Sequence, residues 1–363
     1  MTRASIAEIA LLARFRRRLA ERGERGVLAH LVAVEGSHYR RPGARMIFAE
    51  GGSTAGSISG GCLEADLALR CAAVLAQDEP DLVEYDLRGS DDLVWGTGLG
   101  CGGRVEILLS PLARAGGILE SAGASEGEAI LATAVRDAGF ALGEQALLAG
   151  GERRAGSVPL ASSLARGDAL SGVLVENLES PIRLLACGAG EDVMAIAAAG
   201  RRLGWDVRVF AARPTEAARR RFAGARVFPA AEIGAHSNAR SAAVVATHAY
   251  FDDLEILRSL AAAGTPYIGL LGARARIERL LADGGDVLAE DARRRVFGPA
   301  GLDIGAETPA EIALSILAEI QGALRRKSGG SLRDRLGLIH DRKEDVVPFG
   351  NLPERWSATR VKR

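Results

Sequence analysis

The sequence predicts an α/β protein with an N-terminal α+β domain and a C-terminal doubly wound domain built on a parallel sheet. Three observations support this prediction. The chain has 363 residues, which suits two domains that each bury a core. Its N-terminal half places cysteines in glycine-rich segments between strand-like runs. Its C-terminal half alternates apolar strands with amphipathic helices, the pattern of a parallel sheet covered by helices.

The composition excludes several functional classes. The chain carries 46 basic and 46 acidic residues, so it has no overall charge to attract nucleic acid or an acidic membrane surface. Its apolar runs are much shorter than the ~20 residues that span a bilayer. Four cysteines in a chain of this length do not make a disulfide framework, so we expect a soluble protein in the reducing cytoplasm.

Residues 1–112 are predicted to form the N-terminal domain. Ser5 and Glu8 have the spacing of a capping box, which starts a helix in the arginine-rich first segment. Strand-like runs with turn signals between them cover residues 27–34, 44–49, 82–87 and 104–109. A helix over 63–76 is predicted to face the core with the stripe Leu67, Cys71, Val74 and Leu75.

Two glycine-rich segments of this domain are candidate binding loops. They read Gly56-Ser57-Ile58-Ser59-Gly60-Gly61-Cys62-Leu63-Glu64 and Gly96-Thr97-Gly98-Leu99-Gly100-Cys101-Gly102-Gly103. Glycine lacks a Cβ, so a ligand can approach the backbone N–H groups closely. Cys101 has glycines on both sides and neither a helix nor a strand interior in which to pack. We therefore favour a binding role for Cys101, with the amides of its loop holding an oxo or phosphate oxygen.

The other three cysteines have different surroundings. Cys62 precedes a predicted helix, whose unpaired N–H groups and dipole would favour a thiolate that ligates metal or carries sulfur. Packing as a small apolar residue explains Cys62 equally well. Cys71 falls on the opposite face of the helix from Cys62, and Cys187 lies inside a strand, so both are predicted to be core residues.

The middle of the chain carries weaker signals. Residues 113–180 are predicted as a variable linking region, because they open with a Gly/Ala/Ser-rich stretch, although 130–135 and 172–175 have strand character. We place the domain boundary near Ser180 and the second domain over 181–324. Residues 325–363 turn charged and Gly/Ser-rich and are predicted to be a mobile tail.

The second domain opens with a nucleotide-binding βαβ pattern. A strand over 183–187 is followed by the turn Gly188-Ala189-Gly190, a helix over 191–203 and a strand over 206–210. Val193 occupies the third glycine position of the dinucleotide fingerprint, and Ala211 stands where an acidic residue would bind the ribose. These departures argue against ordinary use of NAD.

Two later segments complete the second domain. His248 follows a strand over 242–247, with Asp253 one helical turn further on, at the strand end where doubly wound folds bind ligands. Thr308 and Glu311 form a capping box for a helix from Pro309 to about 324. Apolar residues surround much of this helix, which predicts a homodimer contact: Ile312, Leu314, Ile316, Leu317 and Ile320.

Taken together, these motifs resemble the XdhC/CoxI family, the accessory proteins that mature xanthine dehydrogenase and other molybdenum hydroxylases. The resemblance rests on the two cysteine loops and on Gly36-Ser37 with Arg41-Pro42-Gly43-Ala44-Arg45, Gly188-Ala189-Gly190, Thr247-His248 with Asp253, Tyr267-Ile268-Gly269-Leu270-Leu271-Gly272, and the segment from Gly298-Pro299 to Gly305 followed by Thr308-Pro309. It implies an XdhC/CoxI-type N-terminal domain and a Rossmann-like C-terminal domain.

The family resemblance also implies a function. Its members bind molybdenum cofactor, which is molybdopterin in its mononucleotide or cytosine dinucleotide form, protect it while a cysteine desulfurase-like partner sulfurates it, and deliver it to an apo molybdenum hydroxylase. On this resemblance, the cofactor-binding residues are expected to be Cys62, Cys101, Gly60, Gly61, Gly100, Gly102, Gly188, Gly190, His248 and Asp253, and Cys101 is the candidate molybdenum ligand. The resemblance suggests no catalytic residue.

Two other functions stay open at this point. A nucleotide-dependent oxidoreductase would use the Rossmann-like domain, but Ala211 and Val193 disfavour it. An interaction scaffold would keep that domain only as a support. The family usually has a histidine directly after the glycine turn, and Glu191 replaces it here, where an acid would repel an anion or need a metal.

Overall fold

The computed structural model describes residues 2–36, 38–86, 103–125, 127–136, 139–168 and 170–334, together with the backbone of 360–361. The described residues fall into two compact units. Unit 1 comprises residues 2–180 with 360–361, and unit 2 comprises residues 181–334.

Unit 1 contains two sheets and four helices among its described residues. Its elements are β1 (Thr2–Ser5), α1 (Ile6–Glu21), β2 (Gly26–Glu35), β3 (Arg45–Ala49), β4 (Thr54–Gly56), α2 (Glu64–Gln77), β5 (Asp81–Asp86), β6 (Arg104–Pro111), α3 (Leu112–Gly123), β7 (Ala129–Ala134), β8 (Gln145–Ala149), β9 (Glu152–Gly156), α4 (Val158–Arg166) and β10 (Val173–Glu179).

Unit 2 alternates strands and helices. Its elements are β11 (Arg183–Cys187), α5 (Glu191–Arg202), β12 (Asp206–Ala211), α6 (Glu216–Arg221), β13 (Arg226–Pro229), β14 (Ser241–Val245), α7 (Tyr250–Ala262), β15 (Tyr267–Leu270), α8 (Arg274–Asp283), α9 (Glu290–Arg293), β16 (Val296–Phe297) and α10 (Pro309–Arg325), with short 3₁₀ turns between some of them. A last strand, β17 (Arg360–Val361), pairs with β5 of unit 1.

The six-stranded sheet of unit 1 has the order β17-β5-β6-β2-β3-β4. Helix α2 covers one face of this sheet, because the predicted stripe Leu67, Cys71 and Val74 is buried against strand residues such as Val27 and Ile107. This packing fixes the start of α2, and with it the first cysteine loop, over the sheet. The other face packs against α1 and α3.

Residues 113–180 are folded, although we expected a variable linking region. They supply α3 except for its first residue, α4 and four strands of the five-stranded sheet, which has the order β1-β10-β7-β8-β9. Leu131, Leu147 and Leu178 from these strands join the core formed by α1 and α3. The segment therefore belongs to unit 1, because its alternating apolar side chains have a core to bury in.

A buried ion pair links the two sheets of unit 1. Arg45 on β3 pairs with Glu176 on β10, and neither side chain is more than 2% exposed. His30 on β2 lies beside them, with its Nε2 3.5 Å from Glu176 Oε2. Arg45 also donates to the Gly43 carbonyl oxygen at 2.7 Å. Gly43 and Arg45 of the Arg41–Arg45 motif therefore have a structural role inside unit 1.

Unit 2 confirms the predicted doubly wound fold. Its sheet has the order β13-β12-β11-β14-β15-β16, and every neighbouring pair is parallel. Counted along the chain, this is the 3-2-1-4-5-6 order of dinucleotide-binding folds, which reverses between β11 and β14. Ligands of such folds bind at the carboxyl ends of these two strands.

The helix ends show which capping predictions hold. At α10, the Thr308 hydroxyl accepts a hydrogen bond from the Glu311 N–H, and the Glu311 carboxylate accepts one from the Thr308 N–H. The predicted capping box is therefore confirmed. At α1, Ser5 accepts the Glu8 N–H at 3.4 Å, but the Glu8 carboxylate pairs with Arg40 instead. Only half of the second box forms, because the arginine competes for the carboxylate.

The apolar face of α10 is used inside unit 2. Ile316, Leu317 and Ile320 are buried in a core shared with α5, and Leu314 is 62% exposed. Of the five apolar residues that predicted a homodimer contact, Leu314 is exposed and Ile312 is half-buried, and the homodimer stays a prediction. Within the described ranges, no helix combines the length and apolarity needed to cross a membrane. Most of the predicted tail, residues 335–359, lies outside the described residues.

Candidate functional site

The first cysteine loop folds around one serine. The Ser59 hydroxyl oxygen accepts hydrogen bonds from the N–H groups of Gly61, Cys62 and Leu63 at 3.2, 3.1 and 3.2 Å. The same hydroxyl donates its hydrogen to the Glu64 carboxylate. The amides before α2 therefore have acceptors within the chain, which disfavours the alternative that they are free to stabilise a Cys62 thiolate.

Glu64 closes this loop from the helix side. Its Oε1 accepts the Ser59 N–H at 3.0 Å, and its Oε2 accepts the Leu63 N–H at 3.1 Å. Burial acts to raise the pKa of Glu64, but the hydrogen bonds from the Ser59 hydroxyl and from these backbone N–H groups outweigh it and lower the pKa. The loop thus holds a fixed negative charge.

The cysteines differ in burial. Cys62 is half-buried and packs against the core under α2, which supports the packing interpretation. Cys71 is buried, and burial raises the pKa of its thiol to about 12. Burial also raises the pKa of Cys187, whose thiol lies inside β11. The core positions predicted for Cys71 and Cys187 are confirmed.

Gly60 and Gly61 leave an open surface at this loop. Both residues are exposed, and among the described residues no heavy atom would lie within 4 Å of a Cβ at either one. Gly61 has φ +108°, a conformation that side-chain-bearing residues rarely adopt. A flat ligand can therefore lie against this backbone. Cys101, Gly100 and Gly102 of the second loop lie outside the described residues.

Sequence reasoning missed one residue near the first loop. His38, between β2 and β3, is only 9% exposed, and its Nε2 is a buried nitrogen with no hydrogen-bond partner among the described residues. Burial lowers the pKa of His38, while the nearby Glu64 carboxylate acts to raise it. A single histidine in a loop gives no periodic signal, so only its position next to the motif Arg41-Pro42-Gly43 could have drawn attention to it.

In unit 2, the glycine turn lies at the point where the strand order reverses. Gly188 follows β11 with φ +128°, and a Cβ there would lie 2.3 Å from the Ala246 carbonyl oxygen, so the position accepts only glycine. Gly190 is the N-cap residue of α5. A Cβ on Gly190 would lie 3.9 Å from Nε2 of His248, so these two predicted residues meet at one place.

His248 and Asp253 have different positions. His248 is exposed and has φ +62°, which is uncommon for a residue other than glycine. Asp253 is 1% exposed, and its Oδ1 accepts the N–H and O–H of Thr247 at 3.1 and 2.6 Å. Its Oδ2 lies 2.7 Å from the guanidinium of Arg276. Asp253 therefore fixes the backbone before His248 from inside the fold.

Glu191, at the position after the glycine turn where we noted a replaced histidine, interacts with an arginine. Its carboxylate forms an ion pair with Arg221 of α6 at 2.5 Å. Both side chains are largely exposed, so the pair contributes little to stability, but it places a positive charge beside the acid. The repulsion of an anion that we expected from Glu191 is reduced by this pairing.

The departures from the dinucleotide fingerprint have clear places in the fold. Ala211 ends β12 without a carboxylate, and Val193 is buried in the core where the fingerprint has a glycine. Among the residues that the structure describes, no group of three or more His, Cys, Asp or Glu side chains is placed to hold a metal ion.

Comparison with known proteins identifies the family. Residues 184–320 match the model of the XdhC Rossmann domain, and residues 19–86 match that of the XdhC and CoxI family. A Bacillus subtilis (strain 168) protein, named as a probable subunit of xanthine dehydrogenase, is 32% identical over 327 residues, covering 83% of this chain and 94% of that protein. The molybdenum cofactor insertion chaperone PaoD of Escherichia coli (strain K12) is 25% identical over 304 residues, covering 82% of this chain and 83% of its own.

A solved structure supports the same assignment. The crystal structure of a xanthine dehydrogenase from Bacillus halodurans superposes with a TM-score of 0.71 and 28% sequence identity, covering 88% of this chain and 98% of that one. The relatives and the family models extend over both units. The chain therefore belongs to the XdhC and CoxI family.

Proposed function

We propose that this protein is an accessory chaperone that binds molybdenum cofactor and delivers it to a molybdenum hydroxylase of the xanthine dehydrogenase type. The observation that carries this proposal is the similarity along both units to a molybdenum cofactor insertion chaperone and to a probable component of xanthine dehydrogenase. A binding and delivery role also agrees with the site, where backbone is exposed at Gly60 and Gly61 and His38 Nε2 has no partner among the described residues.

The residues of both units fit such a cargo. In unit 1, Gly60 and Gly61 expose backbone in the loop that Glu64 closes. His38, whose Nε2 has no partner among the described residues, is near enough to Glu64 for the carboxylate to act on its pKa. In unit 2, Gly188 and Gly190 bring backbone close to the start of α5, where helix N–H groups favour a phosphate. The cofactor offers a heterocyclic ring and a phosphate, in either its mononucleotide or its cytosine dinucleotide form, and supplies the molybdenum used by the hydroxylase.

The finer steps belong to the same proposal. The chaperone holds the cofactor while a cysteine desulfurase-like partner provides sulfur, and then passes it to the apo hydroxylase. Cys101 is proposed as the thiol that ligates molybdenum or carries the sulfur. Cys62 is a weaker candidate, because its side chain packs against the core.

An oxidoreductase role for unit 2 is a poorer explanation. The 3-2-1-4-5-6 strand order suits a nucleotide, but the end of β12 offers no carboxylate for the ribose hydroxyls. Titration with NADH, followed by fluorescence, separates the two functions. Binding at micromolar concentration would favour the oxidoreductase over the chaperone.

Transfer of the cofactor tests the proposal. The protein is purified from a host that makes molybdenum cofactor and is mixed with a hydroxylase purified without cofactor. We expect hydroxylase activity to appear in proportion to the chaperone added, with molybdenum moving between the two proteins. Protein from a cofactor-deficient host is the control. Equal activation by both preparations would contradict the proposal.

A further inference from the structure

His38 has one ring nitrogen that the fold leaves unpaired. The other ring nitrogen, Nδ1, lies within hydrogen-bond distance of the Arg40 backbone, 3.2 Å from the amide nitrogen and 3.3 Å from the carbonyl oxygen. Nε2 is covered from solvent and has no partner in the part of the chain that the structure describes. Buried polar atoms almost always have a hydrogen-bond partner, so an unpaired one points to a partner that the described residues do not supply, and a ligand can be that partner.

The charges around this nitrogen disfavour an anion. Burial lowers the pKa of His38, so its ring is neutral at neutral pH. Hydrogen bonds lower the pKa of the nearby Glu64, so that side chain is negative. The N–H groups of residues 61–63, which would otherwise attract an oxyanion, already donate to Ser59 and Glu64. This loop therefore repels a phosphate and offers it no free amides from these residues.

The same groups suit a neutral heterocycle. Glu64 Oε1 accepts the Ser59 N–H at 3.0 Å, and a carboxylate oxygen can accept two hydrogen bonds. His38 Nε2 adds a second polar contact, and no described residue would lie within 4 Å of a Cβ on Gly60 or Gly61, which leaves room for a flat ring. A pterin ring presents N–H donors next to a carbonyl acceptor along one edge, which matches this set.

We propose that unit 1 recognises the pterin ring of the cofactor rather than its phosphate, with His38 Nε2 and Glu64 Oε1 as its polar contacts. This inference rests on the proposed function, because that function supplies the pterin. On this proposal, His38, which lies outside the helices and strands, is a ligand-binding residue. Glu64 has two roles, because it closes the loop and also accepts a hydrogen bond from the ligand.

Titration of the full chain with 6-hydroxymethylpterin, a neutral fluorescent pterin, tests the inference. We expect wild-type protein to bind it, and His38→Ala to weaken binding by about tenfold or more, as for the loss of a buried hydrogen bond. His38→Gln, which keeps an amide near the position of Nε2, should restore part of the affinity. His236→Ala, which removes a histidine of unit 2 that contacts Arg208 and belongs to neither candidate site, is the matched control and should bind like wild type.

Competition and folding measurements complete the test. Inorganic phosphate at millimolar concentration should not displace the pterin. Wild-type affinity in His38→Ala, or displacement by phosphate, would overturn the inference. If the thermal midpoint shows that His38→Ala is unfolded, His38→Gln and the phosphate competition on wild-type protein still decide the question.

A separate readout distinguishes this inference from the proposed function. Molybdenum is measured in wild-type protein from a cofactor-producing host. Protein that carries molybdenum but does not bind the pterin probe contradicts the role of His38 and leaves the chaperone function intact. Protein that carries no molybdenum contradicts the chaperone function itself.

Discussion

Ser59 donates its hydroxyl hydrogen to Glu64 while its oxygen accepts three backbone N–H groups from the residues between them. One hydroxyl therefore supplies the acceptors that the residues before α2 need. Glu64 in turn accepts the Ser59 and Leu63 N–H groups, so the loop is closed from both ends. This arrangement presents Gly60 and Gly61 outward.

Replacing Ser59 by alanine should destabilise the loop. The substitution leaves the N–H groups of Gly61 and Cys62 without their acceptor, which we expect to lower the free energy of unfolding by about 1–2 kcal/mol, as for the loss of a helix cap. Urea unfolding measures the change. Ser57→Ala is the control, because the Ser57 hydroxyl donates to the Ser59 carbonyl oxygen and accepts neither of these N–H groups. Equal loss in both variants would contradict the role assigned to Ser59.

Replacing Glu176 by glutamine should be more costly. The change leaves the Arg45 guanidinium buried without its counter-charge, and breaking a buried pair in this way costs about 3–5 kcal/mol. Glu179→Gln is a matched control on the same strand, because its ion pair with Arg3 involves a largely exposed arginine. Urea unfolding that shows similar losses for the two variants would contradict the importance of the buried pair.

The cluster around Glu176 also predicts acid sensitivity. Burial acts to raise the pKa of Glu176, but Arg45 and His30 outweigh it and hold the pKa at about 2. A carboxyl whose pKa is depressed on folding contributes stability above its unfolded pKa of about 4.5, and this contribution, on the order of 3 kcal/mol, is lost as the pH falls toward 2.

His30 adds a second contribution to the pH dependence of stability, at a higher pH than that of Glu176. Burial and then Arg45 lower the pKa of His30, so the unfolded chain binds its proton first. The stability due to His30 is therefore present above pH about 6.5 and decreases below it. The free energy of unfolding should fall between pH about 7 and 4, less steeply in His30→Gln. An equal slope in wild type and variant would contradict this explanation.

The fold and the site differ in how much the sequence could predict. The capping box at Thr308 and the βαβ unit at Gly188 involve residues close in the sequence, so they could be predicted. The five-stranded sheet could not, because it pairs β1 with β10, where Thr2 lies opposite Glu176. Such pairing depends on a shared core that a short strand at the start of the chain does not reveal.

The site shows the same limit. Ser59 and Glu64 are five residues apart, which is neither helix nor capping-box spacing, and they meet only because the residues between them form a turn. The burial of Cys62 against the core likewise depends on how α2 packs on the sheet. The motif located the loop, but its internal contacts required the tertiary structure.

The glycine turn of unit 2 allows a matched comparison. Gly188→Ala should destabilise the protein by about 2 kcal/mol or more, because φ is +128° and the new Cβ would lie 2.3 Å from a carbonyl oxygen. Gly190→Ala should leave the thermal midpoint nearly unchanged, because the one described contact of its Cβ would be His248 Nε2 at 3.9 Å. Thermal unfolding measures both. Equal midpoints would contradict the close approach at Gly188.

Molybdenum content, measured by elemental analysis of protein purified from a cofactor-producing host, tests the central claim most directly. We predict bound molybdenum in wild-type protein and in Cys71→Ala, whose small cavity costs about 1 kcal/mol without reaching the loops. Cys101→Ala should lose the molybdenum while keeping its thermal midpoint, and Cys62→Ala should be intermediate. Full molybdenum in Cys101→Ala would exclude its thiol as the ligand. Wild-type protein without molybdenum, from a host whose other molybdenum proteins are loaded, would contradict the claim that this protein carries the cofactor.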